Sequence, residues 1–102
     1  MEQYSIQSVD RTFQLLETIS LHPQGMQLTE LASQTGLNKS TAYRLLASLI
    51  AHGYVIKDSR NNTYHISLKL YELGCRAVNS AGFLAVAAPV LRALAAEAYE
   101  AI

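Results

Sequence analysis

The stretch TELASQTGLNKSTAYRLLASLIAHG, Thr29 to Gly53, decides the fold. Thr29 opens a short helix with Leu28, Leu31 and Ala32 facing inward, and Gly36 has the place of a residue that ends a helix in the left-handed conformation. Only Leu37 and Asn38 intervene before a second, longer helix, which Asn38 can cap, running from Lys39 to about His52 and stopped by Gly53. A short helix, a tight glycine-containing turn and a longer helix make a helix-turn-helix pattern.

The longer helix has two unlike faces. With Ala42 as origin and about 100° per residue, Leu45, Leu46 and Leu49 lie within about 60° of it. Ser40, Arg44 and Ala47 fall opposite, flanked by Tyr43 and Ser48. Solvated faces favour Glu and Lys, yet this helix has no Glu. Lys39, Ser40 and Thr41 occupy its first turn, where free N–H groups and the positive dipole end attract phosphate. Arginine can bond guanine O6 and N7 together, Ser and Thr can bond bases or phosphate, and short side chains let a helix enter a major groove about 12 Å wide. Ser40, Thr41, Tyr43, Arg44 and Ser48, with Lys39, therefore read as a DNA-contacting face, against the bland alternative of a solvated face with one stray Arg. Tyr43 has two readings: stacking on a sugar-phosphate, or covering the hairpin that follows. Thr29 has two as well, a phosphate contact or a helix cap.

Beyond Gly53 the period changes from helical to alternating. YVIKD (Tyr54 to Asp58) and TYHIS (Thr63 to Ser67) flank the polar turn SRNN and predict a β-hairpin. Its tip carries Lys57, Arg60, Asn61 and Asn62, a basic, Asn-rich wing suited to the minor groove or its phosphates; an ordinary exposed turn is the alternative. On the other side, Ser8 is the expected N-cap of a first helix reaching about Leu21. Val9, Phe13, Leu16 and Ile19 form one apolar stripe with Leu15 beside it, a face broad enough for a core and a partner. HPQG (His22 to Gly25) is a turn. Three helices and a hairpin describe a winged helix: mainly α with a small β-hairpin.

LKLYELGCRAV returns to helical spacing, with a kink or close contact expected at Gly74 and an interruption at Asn79, Ser80 and Gly82. FLAVAAPVLRALAAEAYEAI is an Ala-rich helix with a break or fresh start expected at Pro89, ending at Ile102 with no capping signal.

Composition agrees with one small folded domain: 102 residues, half of them hydrophobic. The N-terminus has no basic region followed by an apolar run, so no signal peptide is expected. The longest uncharged run, Ala77 to Leu91, is 15 residues and contains Pro89, too short for a membrane span. A lone Cys75 cannot form an internal disulfide, which suits a cytoplasmic setting, and reads as a small apolar helix residue. Net charge is zero, but Asn38 to Arg76 hold six basic residues against two acids, a local +4 balanced by −4 elsewhere. Partners follow the local field. His22, His52, His65 and Cys75 lack metal-ligand spacing, no glycine-rich phosphate loop appears, and no nucleophile setting is recognisable, so neither an enzyme nor a cofactor is expected.

SVDRTFQLLETIS, LTELASQTGLNKSTAYRLLASLIAHGYV and YHISLKLYELG together resemble the N-terminal region of IclR-type bacterial transcription regulators, over Ser8 to about Glu97. The most specific block is GLNKSTAYRLLASLIAHGYV, with Thr41, Arg44, Leu45, Leu46, Leu49 and Gly53 at family-like positions. The sequence departs from the family at His65 to Ser67, where a Gly often follows the strand. The resemblance implies a winged helix-turn-helix domain over 1–67, a linker helix over 68–82, and in 83–102 the start of a connection to an effector-binding domain that senses a small metabolite. On that reading the chain is the DNA-binding fragment of a larger repressor or activator, and a small-molecule effector acts only through the absent domain. The expected partner is double-stranded DNA with a palindromic operator, bound by a homodimer or tetramer. Paired recognition helices also multiply discrimination, because one helix covers few base pairs. Phe13, Leu15, Leu16 and Ile19 on the first helix, with Leu70, Leu73 and Val78 on the linker helix, are the expected dimerisation residues. The rival reading is a winged helix used only for protein interaction or dimerisation.

Overall fold

Helix α1 spans Gln7–Ser20 and begins one residue before the expected cap. The cap position is Ile6, extended at φ −104°, whose carbonyl accepts from the N–H of Asp10 at 3.0 Å. Ser8 is not the cap: it lies inside the first turn, and its carbonyl accepts from the Thr12 hydroxyl at 2.6 Å. Strand β1, Met26–Gln27, leads directly into α2, Leu28–Thr35. Thr29 does not cap this helix either. Gln27 occupies the cap position, and its backbone N–H donates to the Glu30 carboxylate at 3.2 Å. At the far end Gly36 takes φ 71°, a left-handed conformation that disfavours residues bearing a Cβ. The expected turn forms here.

Helix α3, Lys39–Ala51, is capped as expected, with the Asn38 side chain accepting from the Thr41 N–H at 2.8 Å. Strands β2 (Val55–Asp58) and β3 (Thr63–Ile66) form the hairpin, and Asn62 absorbs a left-handed φ of 57° in its turn. The sheet has three strands rather than two. Its order is β1-β3-β2, antiparallel throughout, with Met26 opposite Tyr64 and Val55 opposite Ile66. Gly25 permits the close approach, because a Cβ there would come within 2.5 Å of the His65 ring.

Alternation and helical spacing converge on one core of Leu15, Ile19, Met26, Leu31, Ala32, Ala42, Leu46, Leu49, Val55 and Tyr64. Burying each large side chain of this set contributes about 1.5–3 kcal/mol. Leu28 and Leu45, expected inward, pack partly buried against it. On α1 the inward line is Leu15 and Ile19, while Val9 and Phe13 stay 45% and 56% exposed. Leu15 and Ile19 are therefore withdrawn from the expected dimer surface, since a partner cannot reach them.

The structure, a computed structural model, describes residues 5–79 and 83–100. They divide into two units between Leu70 and Tyr71. Helix α4, Leu68–Val78, begins in the first unit. The Lys69 ammonium donates to the His52 carbonyl at 2.7 Å and lies 4.7 Å from the Tyr54 ring centroid, placing a cation at the negative end of α3. The Ser67 hydroxyl donates to the Gly53 carbonyl. In the second unit α4 continues through Gly74, where an added Cβ would meet nothing within 4 Å, so no close contact forms there among the described residues. Helix α5, Phe83–Glu100, likewise runs through Pro89. Ala85, Ala87 and Ala88, the strongest helix formers, precede the proline and oppose part of the cost of the hydrogen bond it removes. The interruption expected at Ser80 and Gly82 and the uncapped end at Ile102 lie outside the described residues.

Candidate nucleic-acid interface

Two shallow clefts border the outward face of α3. On the wing side a groove of about 350 Å³ is lined by Gln27, Leu28, Thr29, Tyr43, Lys57, Asn62 and Tyr64. It brings together Thr29, Tyr43, Lys57 and Asn62, residues that sequence reasoning had grouped without knowing their geometry. β1 builds this arrangement: it pairs with β3, so the entry to α2 lies beside the wing, and the Gln27 side-chain amide donates to the Asn61 carbonyl at 3.2 Å. The Lys57 ammonium lies 5.4 Å from the Tyr64 ring centroid. Tyr43 is 54% exposed and lines the groove with an open side, so it does not simply cover the hairpin.

Relieved of a capping role, Thr29 is exposed at the second position of α2. Its hydroxyl has no partner among the described residues. Ser40 is exposed, but its hydroxyl already donates to Asn38 Oδ1 at 2.9 Å and can only accept from a ligand. Lys39, Arg44 and Ser48 are exposed, and Thr41 is half-buried.

At the wing tip Arg60 is not a free cation. Its guanidinium donates to both Asp58 carboxylate oxygens at 3.1 Å, and its backbone N–H donates to Asp58 Oδ1 at 3.0 Å. The side-chain hydrogen bond from Arg60 holds the Asp58 carboxyl below its ordinary value. Since the shift is downward, the pairing is present above the ordinary carboxylate range and is lost as pH falls through the lowered value. At neutral pH Lys57 and Asn61 supply the wing's unneutralised positive and amide groups.

The opposite edge of α3 borders a second cleft of about 370 Å³, lined by Ser8, Arg11, Thr41, Arg44 and Leu45. Arg11 and Ser8 were absent from the sequence-derived site. No sequence signal marks them, because α1 meets α3 only through the tertiary fold.

Residues 8–59 match the IclR helix-turn-helix domain. The chain is 39% identical over 88 residues to the DNA-binding transcriptional repressor YiaJ of Escherichia coli (strain K12), covering 86% of this chain and 31% of that protein. It is 34% identical over 97 residues to the transcriptional repressor IclR of the same organism, covering 95% and 35%. Among solved structures it resembles the IclR transcriptional regulator from Alicyclobacillus acidocaldarius with a TM-score of 0.71 and 32% identity, over 74% of this chain and 31% of that one. The chain spans about a third of the length of the curated relatives it matches.

Proposed function

From the premise that this chain belongs to the IclR helix-turn-helix family of transcription regulators, we propose that it binds duplex DNA in a sequence-dependent way, with α3 in the major groove and the wing on the backbone or minor groove. The observation that carries this reading is the outward face of α3. It is slim and free of acidic side chains, and its Arg44 guanidinium is exposed, with no ionic or hydrogen-bonding partner among the described residues. Arg44 supplies the bidentate donor to a guanine edge, and Lys39, Thr41 and Ser48 reach phosphates or adjoining bases. Thr29, Tyr43, Lys57, Asn61 and Asn62 hold the backbone along the wing-side groove, with Arg60 contributing in competition with Asp58.

The proposed organisation is a DNA-binding domain over 1–67, a linker helix over 68–82 and a connecting segment over 83–102. A cytoplasmic regulator working as a homodimer or tetramer on a palindromic operator fits this face. Phe13 and the half-buried Leu16 on α1, and separately Leu70, Leu73 and Val78 on α4, remain available for such assembly. No described helix is long and apolar enough to cross a membrane. Selection of bound sequences from a random duplex pool tests the proposal. Recovery of a shared, two-fold related motif is expected; recovery of sequences indistinguishable from the input would reject it.

A further inference from the structure

We infer that the cleft between α1 and α3 holds a backbone phosphate of the bound duplex, with Arg11 as its positioning residue; this rests on the DNA-binding reading of α3. Arg11 and Arg44 line the same cleft, and neither has an ionic or hydrogen-bonding partner among the described residues. Two like charges lining one cleft disfavour each other, and an anion in the cleft relieves that repulsion. Arg11 is half-buried, so its stem is already ordered and part of its hydration already removed.

No described acid forms an ion pair with Arg11. No carboxylate lines the cleft, and the neighbouring Asp10 accepts from the Ser5 hydroxyl. The remaining polar lining, the Ser8 and Thr41 hydroxyls, adds donors of the kind phosphate oxygens accept. The Thr41 backbone N–H is already taken by the Asn38 cap, so the site is made of side chains and not of a bare helix end. Arg11 belongs to a different helix from Arg44. A phosphate held by Arg11 beside α3 would fix the angle at which α3 enters the groove and leave the Arg44 guanidinium to a base.

The test compares the full chain with Arg11→Gln and Arg11→Lys for binding to several duplexes of different sequence, each of about 30 base pairs, three helical turns, across a range of salt. Each neutralised phosphate contributes about 0.9 to the slope of log K against log salt. Arg11→Gln is expected to flatten the slope by about that amount and leave the ranking of sequences unchanged, and Arg11→Lys to keep the slope. An unchanged slope in Arg11→Gln, with wild-type binding intact, overturns the phosphate site and leaves the Arg44 reading standing. Failure of the wild type to bind any duplex overturns both. A second measurement needs no substitution: the Arg11 Nε–Hε resonance should shift on adding duplex and not on adding inorganic phosphate at equal phosphate concentration. Equal shifts with both assign the cleft to free anions and overturn the duplex assignment, as does no shift with either.

Discussion

Arg44 and Arg60 differ in whether the fold gives the guanidinium a partner. Arg60 is committed to Asp58 at 3.1 Å, while Arg44, exposed on a slim helix, has no ionic or hydrogen-bonding partner among the described residues. The two arginines are equivalent in the sequence, where both count as basic residues near a predicted interface. Their difference arises from the tight turn that folds Arg60 back on a carboxylate two residues away. Asp58→Asn is accordingly predicted to release Arg60 for the backbone and steepen the salt dependence of duplex binding by about 0.9, one additional phosphate contact. Lys57→Ala is predicted to flatten it by a similar amount. Salt titrations of the two variants check both, and an unaltered slope in each would remove the wing from the interface. The roles of Thr29 and Ser40 were half legible. Their side-chain chemistry could be read directly, but which hydroxyl was already spoken for depended on the caps that actually formed.

Elements were legible wherever burial imposes a period. α2, the Gly36 turn and α3 followed from apolar spacing and from two residues with specific backbone tasks, Gly36 and Asn38. The hairpin followed from alternation around a polar turn. β1 left no trace, since two residues cannot display a period, and its pairing with β3 is a tertiary event. On α1 two adjacent apolar lines were available, and sequence alone could not say that Leu15, rather than Phe13, turns inward. Pro89 does not end its helix, although a proline there removes a backbone hydrogen bond and costs about 3 kcal/mol. The cap and the core make separable predictions. Asn38→Ala should lower stability by about 0.5–2 kcal/mol, through the lost bond to the Thr41 N–H. Leu46→Ala, at a site with no exposure, should lower it by about 2–5 kcal/mol. Chemical denaturation checks both, and a Leu46→Ala loss no larger than a surface substitution would contradict the assignment of the core.

At the scale of the whole molecule, zero net charge conceals a division of labour. Basic residues gather in the helix-turn-helix, wing and linker segment, and the acids lie mostly outside it. Arg11 sits in the acidic part of the sequence and reaches the proposed interface because α1 packs along α3. The exposed Ile6 at the cap of α1, with Val9 and Phe13 along the helix, offers an apolar ridge that a second copy could cover. Phe13→Asp is predicted to shift the protein toward monomer in sedimentation, and a wild-type protein that remains monomeric at high concentration, with and without operator, would contradict assembly through this helix. The central claim is that Arg44 reads a base. Its most direct test is the affinity of the wild type and Arg44→Ala for every single-base variant of the selected duplex. The account predicts a loss of about 1–3 kcal/mol on the selected sequence, with preference relaxed at one base pair of each half-site. An equal loss on every variant would make Arg44 a backbone contact and contradict it.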